Sequence, residues 1–165
     1  GEQDAHAIAI SYNLAPGGKN TSWGAPYRAA LERLRLGVLY ARDTHSTAGF
    51  IGLEATLDAL GEELPELAFE TVTSASYPSY GSMLADGATT LWEVWADKSG
   101  LGMNSHNHPA KAFVGPFMTR TFAGLRRNAT AWRSLELRPA MVGHLTHASA
   151  SLRTPVGWAA VAWQR

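Results

Sequence analysis

The hydrophobic period of this chain changes once, near residue 127, and that change limits the folds open to it. Upstream, apolar residues recur every three or four positions, the period of a helix face. Tyr27, Leu31, Leu34 and Val38 share one such face, while Arg28, Glu32 and Arg35 fall on another. Beyond Trp132, alternation takes over in Leu135 and Leu137, in Thr146 to Thr154, and in Val156 to Trp163. A chain patterned this way is a helical array followed by a small β segment.

The spacing predicts helices over 3–14, 25–41, 50–60, 64–75, 82–86 and 109–126. Pro16-Gly17-Gly18 should stop the first. Pro26 and Pro65 suit first turns, where a missing N–H costs nothing. Gly61 is placed to cap the third helix, and Phe113, Phe117 and Phe122 line the last. The Thr-Thr-Leu-Trp-Glu run at 89–93 fits helix or extended chain and leans extended. Three short strands should follow Trp132. Helices paired through short loops suit a bundle or an α/α toroid. Three strands are too few for an independent domain. The expected division is therefore 1–127, helical, and 128–165, the start of a β domain.

Composition excludes several function classes. The 165 residues carry no net formal charge and no basic stripe, so a nucleic-acid partner is not expected. The absence of cysteine removes disulfides, thiolate metal sites and a Cys nucleophile. No run reaches the roughly 18 apolar residues of a membrane span. Gly1-Glu2-Gln3-Asp4 does not read as a signal peptide, and the compartment stays open. The helical pattern begins without a lead-in. That fits a piece of something longer, or a mature chain that simply starts with a helix. Asn20-Thr21-Ser22 and Asn128-Ala129-Thr130 match the common glycosylation triplet.

The chemistry concentrates at Gly87-Ala88-Thr89-Thr90-Leu91-Trp92-Glu93-Val94-Trp95 and at Asn104-Ser105-His106-Asn107-His108. Glu93 stands between two indoles, a setting that partly desolvates a carboxylate and suits proton transfer. The alternative is two core tryptophans beside a solvated charge. His106-x-His108 lacks a further ligand set at a convincing spacing, so neither a metal nor a cofactor is expected. Tyr77 and Tyr80 either wall a pocket or anchor a turn. Ser79 and Ser105 have no Gly-x-Ser-x-Gly context, and no phosphate-binding glycine loop is present.

In order, Tyr77-Pro78-Ser79-Tyr80-Gly81-Ser82-Met83-Leu84, Gly87 to Trp95 and Met103-Asn104-Ser105-His106-Asn107-His108 resemble the bacterial-type α-L-rhamnosidases of glycoside hydrolase family 78. Thr47-Ala48-Gly49-Phe50-Ile51-Gly52 is similar to that family's Thr-Gly-Phe-x-Gly loop with one Ala added or substituted. Ala148 to Gly157 resembles the start of its C-terminal β domain. The resemblance implies a mainly α fold: an incomplete (α/α)6 toroid segment followed by a short antiparallel β segment. It implies inverting hydrolysis of terminal α-L-rhamnose, with Glu93 as general base. His108 would hold the sugar, together with Asn107, Tyr80 and Trp92. Tyr80 stands where the family more often has Trp, and the connection from Trp95 to Met103 is short for the family.

A toroid of this kind has twelve helices, and the pattern here offers about five or six. The general acid would come from outside the chain, because Glu2, Glu54, Glu62, Glu63, Glu66 and Glu70 follow surface patterns. The expected partners are a rhamnose-containing glycoside and the chain or segment that completes the toroid. The competing readings are a non-catalytic sugar-binding or structural subunit, and a toroid glycosidase for another sugar.

Overall fold

A computed structural model describes residues 2–14, 24–39, 45–96 and 104–165. The Pro16-Gly17-Gly18 stop, the first glycosylation triplet, positions 40–44 and the connection over 97–103 lie outside the described residues. The helices of the first part are α1 (Glu2–Ser11), α2 (Ala25–Leu39), α3 (Leu53–Glu63), α4 (Pro65–Thr73) and α5 (Tyr80–Ala85). A 3-10 turn, Pro109–Phe113, leads into α6 (Val114–Thr121). The strands are β1 (Leu125–Arg127), β2 (Leu135–Leu137), β3 (His147–Thr154) and β4 (Gly157–Gln164).

The apolar faces go where their period directs them. Tyr27, Leu34 and Val38 of α2 are buried. On α3 burial is nearly all-round, from Leu53 to Gly61, which marks it as the core helix. Helix α1 packs against both α2 and α3, and α3 packs against α4. Polar side chains tie these helices together. Gln3 Nε2 donates to the Gly37 carbonyl, and Gln3 Oε1 accepts from Thr47 N–H, both at 3.0 Å. Ser11 Oγ donates to the Ala55 carbonyl at 2.7 Å, and Tyr27 donates to Glu63 Oε1 at 2.9 Å.

Several helix ends differ from the sequence pattern: α1 stops at Ser11 and not at 14, α3 starts at Leu53 and not at 50, and three further differences have a clear local reason. Gly61 does not cap α3 but is buried inside it. The helix ends at Leu64, which precedes Pro65 and is forced out of helical geometry (φ −141°, ψ 58°). Helix α5 starts at Tyr80 and not at 82, because Ser79 caps it. The long helix over 109–126 is broken. Pro116 cannot donate to Ala112, so α6 restarts with Pro116 in its first turn. Gly124, at φ +81°, then turns the chain into β1.

Chain contacts divide the protein into Gly1–Val114 and Gly115–Arg165. In the second unit Phe117 is fully buried and meets Phe122 edge-to-face at 5.5 Å. Trp163 Nε1 donates to the Phe122 carbonyl at 2.9 Å. The three strands expected after Trp132 are present as β2, β3 and β4, and β1, which begins inside the stretch expected to be helical, adds a fourth. They form two antiparallel pairs, Leu125↔Leu137 to Arg127↔Leu135 and His147↔Gln164 to Thr154↔Gly157. Met141 and Val142, expected in a strand, lie in irregular chain.

Gly81 sits in α5 where a Cβ would come 2.5 Å from the Ser74 carbonyl oxygen. Overpacking of this kind costs about 1–3 kcal/mol. Gly81→Ala is expected to lower the urea midpoint accordingly. Gly115→Ala, which meets nothing within 4 Å, should raise stability by up to about 1 kcal/mol.

Candidate functional site

The Ser79 and Ser82 hydroxyls are taken by helix capping. Ser79 Oγ accepts from Ser82 N–H at 2.9 Å, and Ser82 Oγ accepts from Ser79 N–H at 3.1 Å. This capping box fixes the start of α5 and so the place of Tyr80. The Tyr77–Pro78 peptide before it is cis.

The run carrying Glu93 joins no sheet, yet it is bonded alongside the His loop. His108 N–H donates to the Leu91 carbonyl at 2.7 Å, and Glu93 N–H donates to the Ser105 carbonyl at 2.8 Å. Ser105 N–H returns a bond to Glu93 Oε2 at 3.1 Å. Thr90 Oγ1 donates to the His106 carbonyl. A neutral bond of this kind contributes about 0.5–1.5 kcal/mol net, and one to a charged group about 1.5–3 kcal/mol. Together they hold Glu93 beside a loop twelve or more residues away in sequence.

Rings fill the space around this splice. Trp92 is 5 % exposed and stacks on His106, with centroids 4.8 Å apart and planes at 22°. Phe50 lies against His108 at 5.0 Å. Tyr80 meets Trp95 edge-on at 5.1 Å and 86°. Asn107 is exposed, whereas Glu93, His108 and Tyr80 are half-buried. The Tyr80 hydroxyl donates to the Lys111 carbonyl at 2.8 Å, and burial pushes its pKa up. All five sequence-predicted residues therefore lie on three segments: the start of α5, residues 91–95 and residues 105–108.

Lys111 was not singled out by sequence. It reads there as a surface charge on a helix, and only its small neighbours Ala110 and Ala112 hint otherwise. In the structure it is fully buried, with Nζ 3.6 Å from the Trp95 ring centroid. Burial lowers its pKa from 10.5 to about 8. Phe50 stands in the Thr47–Gly52 motif, and its contact with His108 depends on the fold. His45 is buried too, with Nε2 at 2.8 Å from the Ser76 carbonyl oxygen and 3.1 Å from Ser74 Oγ.

Glu54, Glu62, Glu66 and Glu70 are exposed on α3 and α4, and Glu63 accepts from Tyr27. Among the described residues no three His, Asp or Glu side chains gather as metal ligands, and no helix is long and apolar enough to cross a membrane. The second unit holds a separate groove of about 640 Å³, lined by residues including Arg126, Trp132 and Glu136 and by none of the five site residues.

Residues 1–122 match the bacterial alpha-L-rhamnosidase 6 hairpin glycosidase domain, and residues 124–165 match the bacterial alpha-L-rhamnosidase C-terminal domain. The chain belongs to the bacterial α-L-rhamnosidase family. An α-L-rhamnosidase of Streptomyces avermitilis is 30% identical over 170 residues, covering 99% of this chain and 16% of that protein. One from Formosa agariphila is 33% identical over 131 residues, covering 74% of this chain and 14% of that protein. The α-L-rhamnosidase structure from Dictyoglumus thermophilum matches with TM-score 0.88 and 31% identity, over 99% of this chain and 18% of that one. The S. avermitilis enzyme complexed with L-rhamnose matches with TM-score 0.87 and 29% identity, over 99% and 16%. The chain thus spans 14–18% of the length of these relatives. Its fold is a partial helical toroid followed by a β segment.

Lys111 gives this rhamnosidase segment a distinct pH signature. Its native pKa of about 8 lies below the unfolded 10.5, so between those values the unfolded chain binds more protons. Stability should rise with pH through that window. Tyr27, raised from 10.0 to about 12, acts oppositely above pH 10 because the native state then keeps the proton. Urea midpoints measured from pH 7 to 10 should rise for the wild type relative to Lys111→Met, and parallel curves would contradict this.

Proposed function

We propose that this chain is part of an inverting α-L-rhamnosidase that removes terminal α-L-rhamnose from glycosides, and that Glu93 is its general base. The supporting observation is the Glu93 carboxylate itself. One oxygen is held by Ser105 N–H, and the same four-residue stretch carries His108. Membership of the rhamnosidase family, and likeness to an enzyme complexed with L-rhamnose, favour this sugar.

In this reading Ser105 anchors Oε2, and Oε1 takes a proton from the attacking water. His108 and Asn107 bind the sugar ring. Tyr80 and Trp92 shape the pocket, Trp92 from beneath His106. Inversion needs an acid on the leaving oxygen, roughly 6.5–9.5 Å from the base. That acid, and the helices that close the toroid, come from another chain or from a further segment of the same protein. Residues 1–127 form the toroid portion, and 128–165 begin the β-sandwich domain.

Removing a general base costs about 10²–10⁴ in rate. In the complete enzyme Glu93→Gln should lower kcat by that factor and leave rhamnose affinity nearly unchanged by calorimetry. Surviving activity would mean that Glu93 is not the base. The 165-residue chain alone should show no turnover of aryl α-L-rhamnosides. Clear turnover would overturn the shared-site reading.

A further inference from the structure

Tyr80, Trp95 and Lys111 form a closed triangle linking the three segments that carry the candidate site. Trp95 follows Glu93 by two residues, Lys111 follows His108 by three, and Tyr80 opens α5. The Trp95 Nε1 atom is buried and has no hydrogen-bond partner among the described residues. No hydrogen bond to a described residue therefore fixes the plane of this indole. Its orientation rests on the edge of Tyr80 at 5.1 Å and on Lys111 Nζ at 3.6 Å from its centroid. Lys111 also grips Tyr80, whose hydroxyl donates to the Lys111 carbonyl at 2.8 Å.

Lys111 Nζ is itself buried without a hydrogen-bond acceptor among the described residues. An unpaired buried ammonium is costly, and an apolar side chain of similar shape usually fills such a space without loss of stability. Filling space does not account for the charge. What the charge adds is attraction to the indole face, which is directional and strengthens when both partners leave water.

We propose that Lys111 is a positioning residue: its ammonium fixes the Trp95 plane and thereby holds the Glu93 and His108 segments in register. The assignment rests on the rhamnosidase reading only for what those two residues do. The mechanical part stands independently. A one-ångström error in placing a catalytic group is enough to slow chemistry severely, so the effect should fall on kcat.

The test uses Lys111→Met, which keeps the length and removes the charge. In the 165-residue chain, amide hydrogen exchange should quicken about tenfold at Glu93 and His108, the amides bonded to Ser105 and Leu91. Exchange in α3 should stay within about twofold, and the unfolding midpoint should not fall. In the complete enzyme kcat should drop about tenfold with KM within about twofold. A structural role alone would move kcat only together with stability. If Lys111→Met does not fold, Trp95→Phe serves: it keeps the cation, weakens the face beneath it and should quicken the same two amides by a smaller factor. Unchanged exchange at Glu93 and His108, an equal rise in α3, or an unchanged kcat would each overturn the proposal. The exchange result needs no turnover, so it is separate from the fate of Glu93→Gln.

Discussion

The backbone splice between residues 91–93 and 105–108 is what the rest of the candidate site depends on. Neither stretch is a helix or a strand, so neither has the repeating backbone bonds that would hold its shape. Their buried polar groups must find partners elsewhere. Each finds them in the other: Leu91 with His108, and Glu93 with Ser105 twice. An acidic side chain and a His loop are thereby held on one small frame. The frame in turn leans on α5, whose Ser79 cap and close approach at Gly81 leave little room for adjustment.

Aromatic rings give this frame its rigidity. Trp92 and His106 stack beneath it, Phe50 covers His108, and Tyr80 with Trp95 closes one side. The reading of Trp92 and Trp95 as mere core and the reading of them as site residues are not exclusive. Trp92 is as buried as a core residue and still supports the His loop. Lys111 adds a charge where an apolar residue would pack more cheaply, and what that charge supplies in return is attraction to the Trp95 face.

Most of the helical array was legible in the sequence. The Tyr27, Leu34 and Val38 stripe and the Leu53, Leu57 and Leu60 register are period signals, and both faces are buried. Helix ends were less legible because they depend on single residues. Ser79 started α5 early, Pro65 displaced the cap expected at Gly61, and Pro116 split the last helix. The β segment was visible as alternation, but its division into two hairpins was not. Pairing is decided by the connections between strands, residues 128–134 and the Thr154–Gly157 turn, not by the period of each strand. For the site, Glu93 and His108 stood out as residue types in an ordered motif. Lys111 did not, since nothing in its spacing separates a buried cation from a surface one.

The sequence by itself determined that this is a helical array ending in a β segment, and in which motifs its chemistry-bearing residue types are concentrated. The reason is that period and motif order are local properties of the chain. Only the tertiary structure decided that Glu93 shares a hydrogen-bonded frame with the His108 loop, and that a buried ammonium rests on Trp95. Those facts depend on hydrogen bonds and ring contacts between segments far apart in sequence. The pairing of segments is set by how the helices pack, and no single stretch of sequence records it.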